Sequence, residues 1–250
     1  MNLSQLSADP PKNAKRKQTK EAVKDLAKQI AELHEIFFAQ KKHNLLVIFQ
    51  GMDSSGKDGS TKNVFKYCSP IAMKVKSFKK PTEEEFAHDF LWRVHKEVPQ
   101  KGQITIFNRS HYEDILIQRV HGWISEEHVA KRMAAINAFE ELLQFDNNTT
   151  ILKFYLHLTP DRQKEKLQER IDVQEKNWKH NSGDWKERQH WDKYMSAYED
   201  VLTKCNAIPW HIIPANSRWY RNYCVAKIVL KTMQDMNLQY PVVDPEDLKV

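Results

Sequence analysis

Cysteine is scarce in this chain. The 250 residues hold three, Cys68, Cys205 and Cys224, odd in number and far apart, which argues against a disulfide framework or a zinc knuckle and predicts reduced, structural thiols. No apolar run approaches the roughly 20 residues that cross a bilayer, and the N-terminus lacks the apolar segment of a secretory signal, so the expected location is the cytoplasm, with no membrane partner. The eleven histidines show no His-Glu-x-x-His or comparable metal spacing. His88 and His95, two helical turns apart, read as structural, while His111 lies in a strand-end motif within reach of phosphate. No internal repeat and no low-complexity tract is present. Glycine is also sparse, and its distribution is informative: of six, Gly51, Gly56 and Gly59 fall within nine residues.

Those nine residues, Gly51-Met-Asp-Ser-Ser-Gly-Lys-Asp-Gly59, follow the apolar run Leu45-Leu-Val-Ile-Phe49. A buried strand that turns through G-x-x-x-x-G-K into a helix aims backbone N–H groups and the positive helix end at one point, which suits a phosphate. Glycine lets the chain curl with positive φ and approach the anion with no Cβ in the way. Gly51, Ser54, Ser55, Gly56, Asp58, Gly59 and Ser60 are the expected phosphate-binding positions, and Lys57 is placed to touch the terminal phosphates. Asp58 stands where the Ser or Thr of a P-loop reaches magnesium. Asp53, a hard oxygen ligand inside the loop, is the expected substitute.

A charged fraction of 29% beside 40% hydrophobic residues describes a globular chain with one sizeable core and room for an inserted lid. The formal charge of +6 and pI near 9.0 favour a polyanionic partner. Part of that charge is local: Lys12, Lys15, Arg16, Lys17 and Lys20 cluster beside Pro10 and Pro11 and read as a solvated arm. Val23, Leu26, Ile30, Leu33 and Phe37 then predict an amphipathic helix over about 19–42 that packs on the core. Strands are predicted at 45–50, 73–78, 104–107, 151–158 and 210–214, with helices between them after the P-loop, after Pro81, over about 112–120 and 126–145, and from Pro160. Thr82 and Glu85 fit a capping box, and 219–236 closes as a last helix. Such alternation means an α/β fold, a parallel sheet sandwiched by helices. Over 169–199 charges alternate with tryptophans, Asn181-Ser-Gly183 interrupts the helical pattern, and the stretch reads as a lid.

Phosphoryl transfer demands positioning and charge neutralisation, so a cradle, magnesium and several cations are expected. At the end of the third strand, where magnesium is usually held through an Asp, Asn108 stands instead, followed by Arg109, Ser110, Glu113 and Asp114. The two acids either serve that crevice or complement a helix dipole. Within the lid, Arg170, Lys176, Lys179, Lys186 and Arg188 are candidates to bring positive charge over the transfer centre, although some will simply face water.

These motifs come in a recognisable order. The P-loop, then Ser77-Phe-Lys-Lys-Pro81, His88-Asp-Phe-Leu-Trp-Arg93, Phe107-Asn-Arg-Ser-His-Tyr-Glu-Asp114, Glu175-Lys-Asn-Trp-Lys179 and Trp219-Tyr-Arg-Asn222 together resemble the family-2 polyphosphate kinases over about 45–236. The resemblance implies a thymidylate-kinase-like P-loop kinase fold with a central five-stranded parallel sheet and a helical lid. The expected organisation is a basic arm and N-terminal helix over 1–43, a kinase domain over 44–240 with its lid at about 165–195, and a tail over 241–250. It implies that inorganic polyphosphate, with magnesium (or manganese), exchanges a terminal phosphoryl group with a nucleotide. By the same resemblance Asp53, Lys57, Arg109 and Arg170 are catalytic, and Asp53 and Glu113 organise the metal. Asn108, in Asn-Arg-Ser-His-Tyr-Glu-Asp, looks like the subgroup that phosphorylates both AMP and ADP; subgroups confined to one nucleotide state carry Asp there.

Polyphosphate has no base to read, so a groove of equivalent cations must hold it. Lys62, Lys66, Lys79 and Lys80, with Arg93, Asn108 and Lys179, are the candidates for a polyphosphate and nucleotide channel, the lysines being otherwise ordinary surface residues. Trp178, Trp185 and Phe78 are candidates to stack on the base, or core residues. AMP, ADP and ATP are the expected nucleotides, guanine nucleotides are left open, and a homodimer or homotetramer is implied. Three rivals remain: an ATP-dependent nucleoside monophosphate kinase, a polyphosphate-binding scaffold without turnover, and a nucleic-acid-binding protein. Against the last stands the lack of any helix-turn-helix, RNA-recognition or zinc-finger pattern, so no nucleic-acid partner is expected.

Overall fold

The computed structural model describes residues 1–242 and Asp244. Five parallel strands form one sheet: β1 (Asn44–Gln50), β2 (Met73–Ser77), β3 (Ile104–Asn108), β4 (Thr149–His157) and β5 (Trp210–Pro214), in the order β2-β3-β1-β4-β5. Helix α1 (Arg16–Gln40) precedes them, α10 (Arg218–Asp235) follows them, and between them run α2 (Lys57–Val64), α3 (Glu83–Ala87), α4 (Trp92–His95), α5 (Glu113–Val120), α6 (Glu126–Asn147), α7 (Pro160–Asp172), α8 (Ser182–Arg188) and α9 (Trp191–Lys204). This is the α/β architecture expected from the alternation of apolar runs and helical patterns.

The central strands are buried on both faces, which is why they read as continuous apolar runs. Successive β1 side chains point to opposite sides. Leu46 and Ile48 join a core with α5, α6 and α9; Leu45, Val47 and Phe49 join another with α1, α2 and α10. From β1 the chain crosses to β2 and β3 on one side, then to β4 and β5 on the other. The carboxyl end of β1 is thus the switch point where open α/β sheets bind ligands.

Some boundaries differ from expectation. The helix after Pro81 carries its Thr82–Glu85 capping box but lasts only five residues, and a separate short helix follows it. The lid-like stretch stops earlier than 199, because α9 buries Tyr194, Ala197, Tyr198, Val201 and Leu202 at three- and four-residue spacing on the core. The N-terminal lysines are exposed, but α1 begins at Arg16, so Arg16, Lys17 and Lys20 belong to that helix and not to a loose arm, and the segment before them is docked. Leu3 and Ala8 are buried, Leu3 N–H donates to Glu199 at 2.7 Å, and the Leu6 carbonyl lies 3.1 Å from His157 Nε2. Most of the tail expected over 241–250 falls outside the described residues. No helix among the described residues is long and apolar enough to cross a membrane.

Candidate active site

The loop between β1 and α2 has the shape its glycines demand. Gly51 (φ +145°) runs so close to β4 that a Cβ would lie 2.8 Å from the Leu156 carbonyl oxygen. Gly56 (φ +99°) lies directly against the guanidinium of Arg221 from α10, and a Cβ there would sit 1.9 Å from Nη1. Ser54 is also left-handed (φ +67°), and the hydroxyls of Ser54 and Ser55 are buried with no hydrogen-bond partner among the described residues. Two orphaned hydroxyls beside the free N–H groups of a helix start are donors suited to phosphate oxygens. Lys57 folds back over the loop, its Nζ donating to the carbonyls of Gly51 (2.7 Å) and Met52 (3.3 Å). Burial, then the nearby Arg109 charge, lowers its pKa to about 8 against the pull of Asp53, Glu113 and Asp58.

The end of β3 faces this loop. Asn108 donates to Asp58, and Arg109, in the left-handed region at φ +63°, pairs with Asp53 and with Glu113 (3.1 Å). Glu113 and then Asp53 hold the guanidinium protonated well above its ordinary range, outweighing desolvation. With its amide oxygen and nitrogen exchanged, the orientation its neighbours favour, Gln50 at the end of β1 donates to Glu113 (3.0 Å) and accepts from the Ser110 N–H (3.1 Å), tying the two strand ends together. Behind them His111, Tyr112 and Lys153 surround the buried Glu140 of α6, with Lys153 Nζ 2.7 Å from Glu140 Oε2 and Tyr112 donating at 2.8 Å. Asp53, Lys57, Asp58, Asn108, Arg109 and Glu113 therefore meet at one place.

The stretch expected to be a lid adjoins the same place. Arg170 on α7 bonds Asp184 of α8 (2.5 Å) and the Lys179 carbonyl (3.1 Å). Burial and the charge of Asp53 raise the Asp184 pKa, opposed by Arg170. Arg188 donates to the Pro160 carbonyl (2.6 Å) and to Gln163 (2.9 Å), whose own amide donates to the Asp53 carbonyl (3.1 Å).

The family model of Polyphosphate kinase 2 (PPK2) matches residues 13–241. The chain belongs to the polyphosphate kinase 2 family. It is 45% identical over 223 residues to the AMP/ADP-polyphosphate phosphotransferase of Meiothermus ruber, covering 88% of this chain and 83% of that one. It is 37% identical over 239 residues to the ADP-polyphosphate phosphotransferase of Rhodopseudomonas palustris, covering 90% and 82%. The crystal structure of Polyphosphate Kinase 2 from Arthrobacter aurescens TC1 superposes with a TM-score of 0.94 at 38% identity, over 98% of this chain and 89% of that one.

Within this polyphosphate kinase 2 chain the candidate channel residues are dispersed. Lys66 lines a groove of about 640 Å³ bounded by α1, α2, α7 and the start of α10. Lys62, Lys79 and Lys80 are exposed and stand outside its lining, the last two beyond edge strand β2. Arg93 is buried, bonded to Asp114 (3.0 Å) and the Lys79 carbonyl (2.9 Å). Lys179 lies over the exposed Trp178 ring. Trp185 is half-buried, and Phe78 is packed edge-on against Phe107 in the core, which removes it as a stacking platform.

Two cations at the P-loop escaped the sequence reading. Arg221 is 2% exposed and has no ion pair among the described residues; it donates to Ser60 Oγ (2.9 Å), the Ser55 carbonyl (2.9 Å) and Asn222 (3.1 Å). Burial lowers its pKa to about 10. Lys166 on α7 reaches the carbonyls of Ser54 (3.4 Å) and Ala215 (3.3 Å), and burial with the charges of Arg221, Arg162 and Arg218 lowers its pKa to about 7. Their only sequence signals were the Trp219-Tyr-Arg-Asn222 block and the Gln163, Lys166, Arg170 spacing on one face of α7. As to metal, no three His, Cys, Asp or Glu side chains among the described residues form a cage. Asp53 and Asp58 beside orphaned hydroxyls are a hard-oxygen set that fits magnesium, which one or two carboxylates and substrate phosphates commonly hold.

Proposed function

We propose that this polyphosphate kinase 2 chain transfers a phosphoryl group from inorganic polyphosphate to AMP and to ADP, forming ADP and ATP, and that the transfer is reversible. The supporting observation is a phosphate cradle on which Lys57, Arg109, Lys166 and Arg221 converge, in a chain 45% identical to an AMP/ADP-polyphosphate phosphotransferase. Asn108 in place of Asp favours both nucleotide states as acceptors.

In the forward direction a phosphate oxygen of the nucleotide attacks the terminal phosphorus of the chain. The bond to the bridging oxygen breaks, and the shortened polyphosphate leaves as the oxyanion. The transition state spreads negative charge over three equatorial oxygens, so pre-aimed cations are the main source of acceleration. The P-loop N–H groups with Ser54, Ser55 and Lys57 hold the terminal phosphates. Arg109 leaves Asp53 for the transferring group and is kept charged and oriented by Glu113. Arg170 brings lid charge and, with α8, excludes water. Bound magnesium, or manganese, would be held by Asp53 and Asp58, with Glu113 close by, and would neutralise phosphate charge there. The enzyme is expected in the cytoplasm as a homodimer or homotetramer.

A phosphorus NMR time course with magnesium, long-chain polyphosphate and AMP tests this. ADP and then ATP signals should grow as terminal phosphates are consumed, and Lys57→Ala should silence both. Product formed only when ATP replaces polyphosphate as donor would overturn the reading in favour of an ATP-dependent nucleoside monophosphate kinase.

A further inference from the structure

The groove beside the P-loop has one wall whose charge the fold itself does not balance. Arg16, Lys20 and Lys24 of α1 all line it, at i, i+4 and i+8, so they stack on one face of the helix. Like charges at this spacing oppose helix formation. The helix start makes matters worse: its first turn holds no acidic residue and Lys15 at the N-cap makes no side-chain cap, so the positive end of the dipole adds to the three cations. None of the three has an ion pair among the described residues. Across the groove stand Lys66 in the turn after α2, Lys166 of α7 and Arg218 of α10, also without one. The single carboxylate on the lining, Glu169, is tied to Lys176. A wall of repelling cations facing more cations is unfavourable in the free protein and is relieved by a multivalent anion.

The groove meets the cradle through Lys166, which also touches the Ser54 carbonyl, and through Asn222, which bonds Ser60 and Arg221. We infer that the N-terminal helix holds the distal phosphates of a condensed phosphate chain whose reacting end lies on the P-loop, and that this helix gives the enzyme a preference for long chains over short ones. This rests on polyphosphate being the donor, as proposed above. A short donor fills the cradle and stops before α1; a long one continues along Arg16, Lys20 and Lys24 and gains their attraction.

The test compares kcat/KM for long-chain polyphosphate and for tripolyphosphate, at one AMP concentration, in the wild type and in the R16Q/K20Q/K24Q variant. Glutamine keeps helix propensity close to that of lysine and arginine. A matched control, K12Q/K17Q/K28Q, removes the same net charge from exposed positions outside the groove lining. The expected result is a fall of at least about tenfold in the long-to-short ratio for the groove variant. Its log–log salt slope on the long chain should flatten by about 2, from roughly 0.7 released counterions for each of three contacts. The control should keep the wild-type ratio. The inference is overturned if the wild type shows no preference for the long chain, if the groove variant loses both donors equally or neither, or if the control does the same. A wild type that uses neither polyphosphate while accepting ATP as donor would instead sink the reading on which the inference rests.

Discussion

Replacing Gly56 by alanine places a methyl carbon 1.9 Å from Nη1 and 2.4 Å from Cζ of Arg221. A flexible arginine on the surface would swing aside. This one is 2% exposed, and its three hydrogen bonds run to Ser60, the Ser55 carbonyl and Asn222, so moving it breaks bonds that water cannot replace. Losing one charge-assisted bond in a buried setting costs about 1.5–3 kcal/mol. The alanine must also hold φ +99°, a further cost of about 1–2 kcal/mol. The sum, about 2.5–5 kcal/mol, is a large part of the roughly 5–15 kcal/mol that stabilises a typical fold. For a chain of this length it corresponds to a fall in Tm on the order of 10 °C.

A double-mutant cycle isolates the contact. Arg221→Met removes the guanidinium and leaves room for the methyl group, so Gly56→Ala in that background should cost only the backbone strain. Urea denaturation of the four proteins should therefore give a coupling of about 1.5–3 kcal/mol, with the second substitution milder after the first. Phosphoryl transfer should be lost in both single variants, because the loop carbonyls and Ser60 no longer have their common anchor. Equal cost of Gly56→Ala in the two backgrounds would refute the claim that Arg221 shapes the loop.

The lowered pKa values of Lys57, about 8, and Lys166, about 7, predict a pH effect on activity. Each lysine is charged below its pKa and loses its attraction for phosphate above it, so kcat/KM for polyphosphate should fall as pH rises from about 6.5 to 9. Lys166→Arg keeps that site charged and should leave only the step near 8; an unshifted profile would remove Lys166 from the phosphate site. In the core behind Arg109, Lys153→Met strands the Glu140 carboxylate and should cost about 3–5 kcal/mol in urea denaturation. Converting Glu140 to Gln in the same protein should recover at least half of that, since the pair and not the lysine alone is what burial tolerates. A Lys153→Met cost under about 1 kcal/mol would show the charge to be dispensable.

Local patterns carried the fold. The run at 45–49 had to be a strand, because only a doubly buried strand hides five apolar residues before a glycine turn, and β1 is buried throughout. Capping at Thr82 and the spacing of α1 were equally readable. Boundaries that depended on packing were not: Tyr194, Tyr198 and Val201 sit among charges that resemble the lid, yet their face is taken up by the core. The site divided in the same way. Asp53, Lys57, Asn108, Arg109 and Glu113 all lie next to strand ends, so naming the strands named them. Phe78 and Arg93 were misleading, because their burial comes from Phe107 and Asp114, partners that no nearby residue announces.

The amino-acid sequence by itself determined the strand, the glycine turn and the helix that make a phosphate cradle, since backbone conformation answers to neighbours within a few positions. Only the tertiary structure decided how that cradle is charged. Arg221 reaches it from 161 residues beyond Ser60 and Lys166 from 112 beyond Ser54, and α1 turns part of what reads as a loose basic arm into one wall of a groove. Burial and like-charge crowding, which set the strength of those cations, exist only once distant segments are packed together.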